Sequence, residues 1–335
     1  MRVAVVRNNR QGGVLARFGE PSLEAGTDDA AAFIVDALRA EGHTTVACEG
    51  DMHLPEFLDR FMRPTVEGDL RGFVFNLARG LQGECAGGHV PSMLELCGVP
   101  YTGPGPLCWA IANDPVMTRT LLARAGVPTA AFALLRDPAT DAPSLRFPLA
   151  VGPRRERAGF APVIVHTPAQ LAEAVERVAF VCQQESLVEE RHDVIGLAVA
   201  LLGNGPGVEL LPVIAESAAG TRPRVLERFH DAPRVTAIAA AAFEAAGCRD
   251  FAVVRLATDR DGNVAVSSVE PSPRLSLRSV FVQAAVAAGY TYSDLIVRIT
   301  DAAHHRYFGI PAHRFDGTPA RSRRPFVRSL LREAS

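Results

Sequence analysis

The clearest hydrophobic pattern along the chain lies between Asp250 and Ser279. Two apolar, β-branched runs, residues 251–257 and 264–269, flank Asp259-Arg260-Asp261-Gly262, a segment with turn chemistry. This predicts two strands joined by a tight turn, with Pro271 and Pro273 ending the second strand and opening a loop. Side chains at alternate positions of a strand share one face. Pairing would therefore bring Arg255 close to Ser268 and Glu270.

The rest of the chain alternates between strand and helix patterns. In residues 1–103, strand-like runs at 3–6, 44–47 and 72–76 are interleaved with helical patterns at 28–41, 53–61 and 90–97. That alternation predicts a parallel sheet with any ligand at the carboxyl ends of its strands. Residues 104–190 predict a helix over 114–125 stopped by Gly126, strands at 146–151 and 162–166, a helix over 168–178 capped by Thr167, and a strand at 186–190. Residues 191–316 predict strands at 197–202 and 208–214, an alanine-rich helix over 232–246, the hairpin, and closing helices over 280–288 and 292–303. Residues 317–335 form a basic tail. Its last part carries Arg321, Arg323, Arg324, Arg328 and Arg332 around Phe326, Val327, Leu330 and Leu331, which suits a short exposed helix or a docking segment for another subunit. The expected fold class is α/β (α+β).

Composition narrows the function. The 335 residues are 48% hydrophobic and 21% charged with a net charge of −2, which offers no electrostatic handle for nucleic acid or a membrane surface. The opening MRVAVVRNN is too short an apolar run for a signal peptide, and no apolar segment approaches a membrane span. Six widely spaced cysteines form no C-x-x-C pair and fit free thiols in a reducing cytoplasm. All 35 basic residues are arginine, so the chain has no compact ammonium groups on side chains. No G-x-S-x-G, H-E-x-x-H, P-loop or dinucleotide motif occurs. His304-His305 point about 100° apart on a helix and do not suggest a metal pair.

The hairpin, together with Phe75-Asn76-Leu77, Gly83-Glu84, the run from Pro91 to Pro100 and Tyr101-Thr102-Gly103, resembles the D-alanine–D-alanine ligase branch of the ATP-grasp superfamily. The resemblance implies a Rossmann-like N-terminal domain (1–103) and two α/β sub-domains (104–190 and 191–316) that clamp a nucleotide. It implies ATP and Mg²⁺ as cofactors and an acyl phosphate attacked by an amine. It also implies where the contacts should be, and many of those positions differ. The family's two phosphate-binding lysines correspond to Pro115 and Gly152. Its covering loop corresponds to 155–161, with Arg, Ala and Gly in place of a glycine and two serines. The hinge Val188-Glu189-Glu190 keeps an adenine-side carboxylate in Glu189, while the ribose glutamate corresponds to Gly196. The three metal ligands correspond to Arg255, Ser268 and Glu270, and the glycine beside the oxyanion to Arg274.

From these positions Glu189, Glu190, His192 and Arg155 are candidates for nucleotide contacts. Arg274, Ser279 and Glu84 are substrate-side candidates, with no catalytic residue assigned. Glu270 is the single metal candidate, opposed by Arg255 on the same face. The expectation is a degenerate ligase-like protein without independent activity, acting as a non-catalytic partner in a homo- or hetero-oligomer, for instance with an active ATP-grasp ligase. Two alternatives stay open: an active ATP-dependent carboxylate–amine ligase with relocated phosphate and metal contacts, and a small carboxylate or phosphate binder using Arg255 and Arg274.

Overall fold

The structure, a computed structural model, describes residues 1–8, 30–62, 72–137, 144–155, 160–191, 195–216, 224–226, 230–258 and 262–310. His192, residues 156–159 of the expected covering loop, the turn residues 259–261 and the basic tail lie outside them.

The first part runs β1 (Arg2–Arg7), α1 (Ala30–Ala40), β2 (Thr44–Glu49), α2 (Leu54–Phe61), β3 (Gly72–Asn76) and α3 (Ala86–Leu96). The strands form a parallel sheet in the order β2-β1-β3. Both faces are covered: Val3, Val5 and Phe75 pack toward α1, while Ala4, Val6 and Val74 pack toward α2 and α3. Continuous apolar strands are what a doubly covered parallel sheet requires. Helix α3 starts four residues before the predicted 90–97, through Gly87-Gly88, which helix propensity argues against. Packing decides it. Gly87 lies against the Trp109 ring, where a Cβ would collide.

The second part runs α4 (Pro106–Ala112), α5 (Pro115–Arg124), β4 (Phe132–Leu135), β5 (Leu149–Pro153), β6 (Val163–Val165), α6 (Pro168–Cys182) and β7 (Ser186–Glu190). Its antiparallel sheet has the order β4-β7-β5-β6. Helix α4 and strand β4 were not expected from the sequence.

The third part runs β8 (Ile195–Gly203), β9 (Glu209–Leu210), β10 (Ile214–Glu216), β11 (Arg224–Val225), α7 (Ala232–Ala245), β12 (Asp250–Thr258), β13 (Val264–Glu270), α8 (Val280–Ala287) and α9 (Tyr292–Phe308). The sheet order is β11-β10-β8-β12-β13, with β9 also on β8. The predicted strand 208–214 is broken into β9 and β10, because Pro212 between them cannot donate to a ladder. One face of this sheet (Ala198, Ala200, Phe251, Val253) packs on α1, α8 and α9, and the other (Leu197, Val199, Val254, Leu256) packs on α7. Among the described residues no single helix is long and apolar enough to cross a membrane.

A buried carboxylate ties the first and third parts together. Asp250, fully buried, accepts bonds from the Gly103 amide (2.8 Å), from Asn204 (2.8 Å) and from both Nε and Nη2 of Arg306 (3.0 and 2.8 Å).

Candidate functional site

A cavity of about 900 Å³ opens where the three parts meet, at the carboxyl end of β3, along the β12–β13 hairpin and at the start of α8. Five arginines line it: Arg79, Arg155, Arg255, Arg274 and Arg278. Two carboxylates, Glu84 and Glu270, face them.

The hairpin register builds the centre of the site. Arg255 on β12 stands opposite Ser268 on β13, and Val253 opposite Glu270. Arg255 Nη1 donates to Glu270 Oε2 at 2.7 Å, and its Nε reaches both oxygens of Glu216 at 3.0 and 3.2 Å. Glu216 lies on β10, on the far side of β8. The guanidinium can span β8 because the residues beneath it are small: Ala198 opposes Arg255, and Gly196 opposes Glu216. A Cβ at Gly196 would come within 3.2 Å of the Glu216 carbonyl and 3.6 Å of its Cβ. Thus the position where a ribose glutamate is expected instead makes room for the ion pair. Burial works against the Arg255 charge, but the Glu270 carboxylate, then Glu216, outweighs it and holds the guanidinium more firmly charged than usual.

Glu270 is gripped from its other side by Arg79, whose Nη2 lies 3.2 Å from Oε1 and also donates to the Ser272 carbonyl. Arg79 sits in the loop after β3. Buried Asn8, just after β1, accepts the amides of Arg79 and Gly80 at 2.9 Å each. Gly80 has φ +81, and a Cβ there would run into the Ala86 carbonyl, so only glycine suits the turn.

These donors do not fit a magnesium ion. A hard divalent cation needs several oxygen ligands not already neutralised. Here two guanidinium groups hold Glu270, and one of them also holds Glu216. Among the described residues no three His, Cys, Asp or Glu side chains cluster as a metal site.

A second, smaller cavity of about 210 Å³ lies between α5, β5, β7 and β13. Glu189 lines it and is paired with Arg119, which is 8% exposed and also reaches the Ser267 carbonyl. Burial lowers the Arg119 pKa, and the Glu189 charge offsets this only in part. Gly152, at an expected lysine position, faces Pro162: a Cβ there would lie 3.1 Å from its ring. Pro115, at the other, opens α5, where a missing N–H costs nothing. Asp114 caps that helix through the Val116 and Met117 amides (3.0 and 3.2 Å) and takes Arg154 at 2.7 Å. Burial would raise the Asp114 pKa, but the Arg154 bond and the two amides hold it below the usual aspartate range.

The large cavity therefore gathers Glu84, Arg155, Arg255, Ser268, Glu270, Arg274 and Ser279. Glu84 is paired there with Arg155. Ser279 caps α8, its Oγ accepting the Val282 amide at 3.4 Å. Glu189 occupies the small cavity instead. Glu190 lines neither cavity: strand alternation turns it away to Arg146, whose backbone N–H it accepts at 2.8 Å. Arg255 is not the available anion site expected from the sequence, because two carboxylates already hold it. Sequence reasoning did not find Arg79, Trp109, Glu216 or Arg278. The rule that ligands gather at the carboxyl ends of parallel strands was a signal for Arg79.

Residues 224–301 match the family described as D-ala D-ala ligase C-terminus. The chain is 41% identical over 332 residues to an uncharacterized protein of Sinorhizobium fredii, covering 92% of this chain and 98% of that one. It is 31% identical over 270 residues to the D-alanine–D-alanine ligase of Cupriavidus metallidurans, covering 73% and 80%. Its fold matches the crystal structure of the Bacillus anthracis D-alanine–D-alanine ligase complexed with ATP, with a TM-score of 0.72, 22% identity and coverage of 91% and 98%.

Proposed function

This chain belongs to the D-alanine–D-alanine ligase family and has the ATP-grasp fold, and from that premise we propose that it has given up ATP-dependent ligation and works as a non-catalytic member, partnered with an active ligase of the same fold. One observation carries the reading. The hairpin that the resemblance assigns to a metal ion is closed by the Glu216–Arg255–Glu270–Arg79 chain of ion pairs. Phosphoryl transfer depends on neutralising and positioning phosphate charge. A metal cannot enter between these carboxylates unless Arg255 leaves both of them.

The other expected nucleotide contacts support the same reading. Neither aligned lysine position carries a cation, since both are filled by packing residues, Pro115 and Gly152. The Glu189 carboxylate is engaged by Arg119.

The test is direct. Purified protein is mixed with D-alanine, ATP and MgCl₂, phosphate release is followed, and ATP binding is titrated by calorimetry with and without Mg²⁺. Phosphate release at the buffer rate and no Mg²⁺-dependent ATP heat are expected. Micromolar, Mg²⁺-dependent ATP binding with phosphate release would overturn the proposal in favour of an active ligase with relocated contacts.

A further inference from the structure

At the amino ends of β1, β2 and β3, the edge of the parallel sheet away from Arg79 and the large cavity, lies a groove of about 590 Å³. Arg2, Thr44 and Gly72 open the three strands there, and the last turn of α9 forms the opposite wall. That wall is layered: buried Phe73 contacts the His304 ring, with centroids 6.2 Å apart, and His304 contacts Phe308 at 4.5 Å. The rim is apolar and open to water. Met1, Phe308 and Ile310 line it at 40%, 49% and 61% exposure. Single exposed apolar residues are ordinary, but three around one concavity form a patch suited to another apolar surface.

The described chain ends inside this patch. Gly309 stops α9 in the left-handed conformation (φ +71), which turns the chain back. His304 Nδ1 then donates to the Ile310 carbonyl at 2.7 Å and fixes Ile310 on the rim. Residues 311–335 follow from that point.

Their sequence holds an apolar cluster that fits the groove. Pro325 suits the first turn of a helix, and Phe326, Val327, Leu330 and Leu331 after it have the spacing that puts four side chains on one helical face. Arg324, Arg328 and Arg332 fall on the opposite face, so packing the apolar face in the groove turns them away from Arg2 in its wall. A helix this short is marginal alone in water and gains its stability from an apolar surface to pack on. Residues 311–325 reach about 50 Å when extended, at roughly 3.3 Å per residue, so the cluster can return to the groove.

We propose that residues 326–331 dock as an amphipathic helix in this groove of their own chain, packing on Met1, Phe308 and Ile310. The tether at Ile310 keeps the segment at a high local concentration, which favours its own groove over that of a second copy. The docked segment joins the start of β1 to the end of α9, and so ties the first part of the fold to the third. The groove lies on the opposite edge of the sheet from the cleft, so the inference stands whether or not the cleft binds ATP.

Hydrogen exchange of the full chain, read by mass spectrometry on peptides covering 326–335, tests it. Exchange there is expected to be slowed by roughly tenfold or more relative to the same peptide alone, a protection that a short isolated helix does not reach. The tail variant F326S/L330S and the groove variant F308S/I310S should each abolish that protection. F180S, at an exposed aromatic on α6 in the second part, should not. Urea unfolding checks that the groove variant keeps its fold, and I310S alone, at the more exposed position, should weaken the protection in the same direction. No protection in the parent, or protection that survives the groove variants, would overturn the proposal. Protection that falls on dilution, with elution as a dimer, would give the groove to a second copy's tail and overturn it as well.

Discussion

Arg255→Met tests whether the guanidinium holds the hairpin where a metal is expected. Methionine keeps much of the stem volume and removes the fork. Three bonds are lost: 2.7 Å to Glu270, and 3.0 and 3.2 Å to Glu216. Two unit charges about 4 Å apart interact by about 4 kcal/mol at an effective dielectric of about 20. The Arg255 side chain is 33% exposed, and Arg79 remains on Glu270, so solvent screening and the surviving pair reduce the cost. About 2 kcal/mol is expected, between the values typical of exposed and fully buried pairs. Urea unfolding at pH 7 measures it. E216Q, made alone and with R255M, completes a double-mutant cycle with an expected coupling of about 1–2 kcal/mol. Additive costs, or a loss in R255M below about 0.5 kcal/mol, would refute the structural role of this arginine.

Three other outcomes follow from the packing. Asp250→Ala would leave the half-buried Arg306 with only the Tyr101 carbonyl and the Gly103 amide without its acceptor, costing about 3 kcal/mol in urea unfolding. Gly87→Ala would push a methyl group into the Trp109 ring, costing about 1–3 kcal/mol and altering tryptophan fluorescence in the folded state. Asp114 has its pKa held below the usual range, so the stability it contributes is present above the unfolded aspartate pKa and is lost as pH falls through the lower folded value. Asp114→Asn keeps a helix cap but loses the charged bond to Arg154. It should cost about 1 kcal/mol at pH 7, and the difference from the parent should shrink below about pH 4.

How much of this was legible in the sequence depended on the range of the interactions. The hairpin was readable because alternation and a four-residue turn are local, and they also fixed Arg255 opposite Ser268. The parallel sheet was readable from alternating strand and helix patterns. Glu216 was not, because its meeting with Arg255 needs β8 inserted between β10 and β12, a pairing that no local pattern encodes. Helix α4, with the sequence Pro-Leu-Cys-Trp-Ala-Ile-Ala, has no polar face to give a 3.6-residue period, and packing on α3 decides it. Glu189 reads as the adenine-side carboxylate of the hinge and Glu190 beside it as a further nucleotide candidate. Strand alternation sends them to different arginines, Arg119 and Arg146.

The Arg255 ion pairs also show how a hairpin of this shape can be held without a metal. Carboxylates that converge on a cation repel one another when it is absent, so a metal site that simply lost its ion would be under electrostatic strain. Here Arg255 supplies a permanent positive charge from within β12, where it cannot diffuse away. The same change has a cost for chemistry. A metal ion can bridge protein and phosphate at once because it has ligand positions to spare, whereas Arg255 spends its fork on Glu216 and Glu270. Any ligand of this cleft must therefore be recognised by groups outside that chain of pairs.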